Sequence, residues 1–209
     1  MTKEELFEKN KSLLRKYLPE NSVHTICQWI FEYDFKLIIK GDRKSKWGDF
    51  RIDEVKRNYP IITINKTLNK YAFLITLVHE IAHCKTYKEY GNKVESHGKE
   101  WKKNFQLLMQ TFLNTDIFPI DLLYVLRKHM KNPAASATAD VQLYKALMHY
   151  DETPNNYILL ECLSDGDKFI YNNETFQRLK LVRKRIECIH LKTQKKYLFS
   201  PIVEVEWVE

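Results

Sequence analysis

The 209-residue sequence predicts an α+β protein, with helices and a small sheet through about residue 130 and a small antiparallel β appendage at the C-terminal end. Three observations lead there. Tyr71, Leu74, Ile75, Val78, Ile81 and Ala82 form the 3.6-residue stripe of a buried helix, uninterrupted by Gly or Pro. Alternating or short apolar runs at 35–39 and 61–64 read as strands just before that helix. From Tyr157 onward the pattern becomes short strands separated by tight turns such as Ser164-Asp165-Gly166-Asp167 and Asn172-Asn173.

Residues 3–18 form an amphipathic helix with Leu6, Leu13, Leu14 and Tyr17 inward and Pro19 closing it; a second helix covers 21–32. His24 and Cys27 in it read as packing residues rather than ligands. Phe35, Leu37 and Ile39 alternate with Lys36, Ile38 and Lys40, Gly41-Asp42 turns, and a second strand over 47–52 makes a hairpin. It carries Lys40, Arg43, Lys44, Lys46 and Arg51 around Trp47 and Phe50. Lysines of this kind guard an edge strand against aggregation, and the same edge can accept an extended peptide as a further strand, with Trp47, Gly48 and Phe50 beside it. Basic and aromatic residues together also suit single-stranded nucleic acid.

The buried helix carries Leu77-Val78-His79-Glu80-Ile81-Ala82-His83, an H-E-x-x-H motif. Residues four apart share a helix face, so His79 and His83 can offer two imidazoles to one ion, with Glu80 alongside as general base for a metal-bound water. With seven His and 17 Glu in the chain, chance supplies such a motif about 0.02 times. Zinc suits imidazole ligands, and three protein ligands with an open position make a catalytic site. The third is sought after a turn at Gly91. His97 shares a face with Trp101, Phe105, Leu108 and Phe112 on a helix spanning 97–114 with Ser96 as N-cap; Glu95 and Glu100 are the alternatives.

His79-Glu80-x-x-His83 followed by Ser96-His97-Gly98-Lys99-Glu100-Trp101, with Arg43 to Phe50 and Ile61-Ile62-Thr63-Ile64-Asn65 upstream, resembles the SprT-like (Spartan-related) zinc metallopeptidases over about residues 5–130. The resemblance implies a zincin-like domain, one Zn²⁺ per chain, peptide-bond hydrolysis on a protein or peptide, and an action on DNA-associated or DNA-crosslinked proteins. The alternative is a DNA- or protein-binding module with a structural metal and little proteolysis.

Pro119 precedes a helix over 120–130, where His129 reads as a cation near the helix C-terminus. Lys131–Asp140 replaces large apolar residues by small ones and reads as a linker, dividing a metallopeptidase domain at 1–130 from a β subdomain at 141–209 that begins with a short helix. The strands after Tyr157 form a meander that resembles the family's zinc ribbon without its paired cysteines; Cys162, Cys188 and His190 are a weak substitute. Residues 178–196 hold Arg178, Lys180, Arg183, Lys184, Arg185, Lys192, Lys195 and Lys196 against Glu187. Alternation would align several as a phosphate-binding stripe, against the plainer reading of a solvated face. The net charge of +7 favours anionic partners, DNA before membrane. Four scattered cysteines, no apolar N-terminal core and no membrane-spanning run make a cytoplasmic protein the default.

Overall fold

The computed structural model describes residues 2–41, 43, 46–53, 59–136, 139–151 and 157–208. Lys44 and Ser45 of the basic segment and Ala137 and Thr138 of the expected linker lie outside them. The architecture is α+β, in two compact units, Met1–Asp151 and Glu152–Glu209.

In the first unit, α1 (Lys3–Leu14) opens with a capping box, Thr2 and Glu5 each accepting from the other's backbone N–H. Tyr17 and Leu18 lie in the turn after it, and Pro19 caps α2 (Glu20–Glu32). Three strands follow, β1 (Lys36–Lys40), β2 (Gly48–Asp53) and β3 (Tyr59–Asn65). They do not include the expected β1–β2 hairpin. The order is β1-β3-β2, with β1 parallel to β3 (Leu37 opposite Ile62) and β2 antiparallel to it (Phe50 opposite Ile62). Burial explains the insertion. Ile61, Ile62, Thr63, Ile64 and Asn65 are all buried, so β3 takes the centre, while the half-exposed β1 and β2 take the edges.

Helix α3 (Lys70–Tyr90) starts where Asn69 accepts hydrogen bonds from the Tyr71 and Ala72 N–H groups and stops at Gly91, whose φ of 62° favours glycine. Its long apolar stretch makes it the axis of the core, packed by α4 (Lys99–Gln110) and α5 (Ile120–His129). Asn104 on α4 ties that helix to α3 by donating to Thr86 Oγ1 at 3.0 Å and Glu89 Oε2 at 2.8 Å.

The unit boundary falls later than the composition shift suggests. Helix α6 (Val141–Met148) belongs with the first unit, because Leu143 and Leu147 are buried in its core. Asn69 Nδ2 donates to Leu147 O at 2.9 Å, Tyr150 donates to Asp121, and Trp47 stacks on Tyr144 at 5.8 Å. The small residues after Pro133 are therefore a connection within this unit.

The second unit has its own core of Leu160, Leu163, Phe169, Phe176, Ile186, Cys188 and Val205. Its strands are β4 (Tyr157–Leu159), β5 (Lys168–Tyr171), β6 (Glu174–Val182), β7 (Arg185–His190), β8 (Lys196–Phe199) and β9 (Glu204–Val208), all antiparallel. It is not a simple meander: β9 inserts between β4 and β5, giving the order β4-β9-β5-β6-β7-β8. The four cysteines are free. Among the described residues no helix is long and apolar enough to cross a membrane.

If α6 is part of the first core, Leu143→Ala should lower that unit's stability by about 2–5 kcal/mol, the usual cost of emptying a buried leucine site. Denaturant unfolding followed by the fluorescence of Trp29, Trp47 and Trp101, in a protein where Trp207 is replaced by Phe, measures this. A change below about 0.5 kcal/mol would place α6 outside the core.

Candidate metal centre

His79 and His83 lie one turn apart on α3, and Gly91 reverses the chain so that His97 meets them. His97 is not on α4; it sits in the preceding turn, with Gly98 rather than Ser96 as the N-cap. The three imidazole Nε2 atoms face one another, 3.2 Å apart for His79–His83, 3.1 Å for His83–His97 and 3.4 Å for His79–His97. A tetrahedral ion with metal–nitrogen bonds of about 2.0–2.1 Å needs nitrogen atoms about 3.3–3.4 Å apart, so the three donors fit one. Neither Glu95 nor Glu100 joins this group. Among the described residues no second set of three donors converges, so Cys162, Cys188 and His190 do not form a site. Instead His190 meets Glu174 at 3.2 Å and Thr193 at 2.9 Å.

The rings rest on Trp101, which is fully buried on α4, with centroids 4.6, 5.2 and 4.7 Å from His79, His83 and His97. Phe50 of β2 stacks on His83 from the other side at 6.3 Å. Burial pushes the His83 imidazole down to about 3 and holds His79 well below the usual range, with the neighbouring imidazoles adding to both; burial lowers His97 as well. Neutral rings with converging nitrogens are the form that ligates a cation.

Glu80 is buried beside them, and its carboxyl is pushed up to about 8. Burial is the largest cause, followed by the negative charge of Asp49, while Arg43, Lys46 and the Phe50 backbone N–H pull the other way. Glu80 fits because Gly48 has no side chain. A Cβ there would stand 2.6 Å from Glu80 Oε1 and 2.6 Å from Thr76 Cγ2.

β3, which ends at Asn65, sets that approach. Asn65 Nδ2 donates to the Arg43 and Lys46 carbonyls at 3.2 and 3.0 Å, and Asn65 N–H donates to Trp47 O at 2.9 Å. Arg43 donates in return to Asn65 Oδ1 and Thr63 Oγ1, so its guanidinium is used inside the fold. Trp47, Gly48 and Phe50 line a cavity of about 550 Å³ with Thr76, His79, Glu80, His83 and His97. β2, which carries Gly48 and Phe50, lies at one end of the strand order β1-β3-β2.

One residue on the same cavity escaped the sequence reading. His129, the last residue of α5, is buried, and it lines the cavity while its Nδ1 meets Asp140 Oδ2 at 2.8 Å. The signal was an Asp before an apolar helix, an N-cap, hidden in a stretch that read as linker.

The basic residues of the second unit divide. Lys180, Arg183, Lys184 and Arg185 are exposed around the β6–β7 turn, where Arg183 takes a φ of 56°. Arg178 leaves the stripe: a bulge between Arg178 and Lys180 breaks the alternation, and its guanidinium pairs with Asp165.

Residues 19–121 match the SprT-like family. No curated protein and no solved structure matches the chain.

Gly48→Ala should cost about 1–3 kcal/mol, as overpacking at a fixed backbone does. Chemical denaturation of the variant beside wild type tests it; an unchanged midpoint would mean that Glu80 does not depend on the close approach of β2.

Proposed function

We propose that this chain, which carries a SprT-like family domain over residues 19–121, is a zinc-dependent peptidase in which His79, His83 and His97 hold the metal and Glu80 moves the protons. The observation that carries the reading is a buried carboxyl beside three converging imidazoles, on the wall of a cavity edged by β2. The donor set of three imidazoles favours zinc with an open fourth position. When bound, the ion supplies Lewis acidity toward a peptide carbonyl and toward water.

The remaining work falls to this chain's own residues. Glu80, as carboxylate, takes a proton from the attacking water and, as acid, returns it to the leaving amine. A carboxyl raised toward neutrality by burial suits both halves of that exchange. The β2 edge offers main-chain hydrogen bonds to an extended peptide, which gives affinity with little dependence on sequence. Trp47 and Phe50 flank that edge with apolar surface, and Gly48 keeps the approach to Glu80 open.

Proteins held on DNA are the substrate class we favour. The exposed Lys180, Arg183, Lys184 and Arg185 support phosphate contacts without base preference, and Arg178 is left out of that set because Asp165 neutralises it.

The test compares metal content and peptidase activity in wild type, His97→Ala and Glu80→Gln. Wild type should carry about one zinc per chain, with zinc sharply reduced in His97→Ala. Glu80→Gln should keep the zinc and lose activity by about 10²–10⁴-fold, the range for removing a general acid–base. Glu80→Gln as fast as wild type would sink the mechanism, and zinc-loaded wild type inert toward peptides and DNA-bound proteins would leave a binding module.

A further inference from the structure

The cavity that holds Glu80 and the three histidines has a fourth imidazole whose position is as tightly specified. His129 is the last residue of α5, and its side chain is 3% exposed. Its Nδ1 lies 2.8 Å from Asp140 Oδ2. Asp140 is fixed in turn, because its other oxygen accepts the Gln142 and Leu143 N–H groups at 3.1 and 3.2 Å as the N-cap of α6. The His129 hydrogen bond and those two backbone N–H groups hold the Asp140 carboxyl below its usual range, against the opposing effect of burial. An ionised Asp140 therefore receives the His129 Nδ1–H and fixes the ring orientation. The ring is buried and lines the cavity.

A buried ring with one nitrogen anchored to a carboxylate, on the wall of the cavity that holds the three imidazoles, is an arrangement for meeting a ligand atom with the other nitrogen. With Nδ1–H given to Asp140, the ring donates from Nε2 when that nitrogen also carries a proton. The atom of a peptide that gains negative charge during cleavage is its carbonyl oxygen. We infer that His129, positioned by Asp140, contacts the substrate at this site and donates a hydrogen bond from Nε2 to the scissile carbonyl oxygen as it becomes anionic. The inference rests on the peptidase reading and adds to it a residue pair beyond the family match, which ends at residue 121. It also gives Asp140 a second purpose, since the α6 N-cap meets the last residue of α5.

The experiment uses the zinc-loaded full chain as wild type, His129→Ala and Asp140→Ser. Serine keeps the N-cap but is too short to keep the contact with His129. Two ligands are compared, a phosphinic peptide that imitates the tetrahedral anion and a normal peptide of the same sequence, the latter bound in a Glu80→Gln background. His129→Ala should weaken the phosphinic peptide about 100-fold, the scale of losing one oxyanion donor, with zinc content kept and normal-peptide affinity within about twofold. In hydrolysis kcat should fall with KM little changed, and Asp140→Ser should show the same split at about tenfold, the smaller loss expected when only ring orientation is relaxed. Unchanged phosphinic affinity in His129→Ala overturns the inference, and so does an equal loss for both ligands, which marks a collapsed cavity. Zinc-loaded wild type that binds neither ligand and cleaves nothing overturns the peptidase reading and this inference with it. Wild type that binds and cleaves, beside a His129→Ala protein that does so equally well, removes only the inference.

Discussion

Three neutral imidazoles pointing their Nε2 atoms at one point, within 3.4 Å of each other, are the constraint on which the first unit depends. A neutral ring has one N–H and one lone pair, so three facing nitrogens cannot all satisfy each other. Protonating them would place like charges together, and burial opposes it. A cation resolves the conflict. Without one, the cluster is a cost held in place by surrounding packing, the usual relation between a functional site and its scaffold.

The scaffold answers that cost piece by piece. α3 provides the four-residue spacing and is long and apolar enough to be the core's axis. Trp101 puts a rigid, fully buried surface under all three rings, and its indole N–H reaches His79 O at 3.4 Å. Asn104 locks α4 to α3, which sets where the His97 turn arrives. Asn65 holds Arg43, Lys46 and Trp47 against β3, bringing Gly48 against Glu80 and Phe50 against His83. The same contacts that hold the sheet to the helix shape the cavity, so stability and site geometry are not separable there.

What was legible in the sequence was local. H-E-x-x-H on an apolar helix fixes two donors by helical geometry alone, and His97 follows from a short return through Gly91. The β3 strand and its Asn65 were legible as a buried run leading into the helix. What depended on distant partners was not. Lys36–Lys40 and Gly48–Asp53 read as a hairpin because neighbouring strands usually pair, yet β3, buried from Pro60 to Asn65, outranks both for the central place. β9 likewise enters its sheet between strands far from it in sequence. Arg178 looked like one of a stripe because alternation was assumed to continue through a bulge. The stretch after Lys131 looked like a linker because its residues are small, while the information lay in Asp140, a single side chain serving an N-cap and His129 together.

The central claim is that three imidazoles hold a metal and leave one position open. X-ray absorption at the zinc edge of the metal-loaded full chain tests it directly. The account predicts a four-coordinate ion with three imidazole nitrogens and one further light ligand, all at about 2.0–2.1 Å. A sulfur shell near 2.3 Å, or four protein ligands closing the sphere, would contradict it.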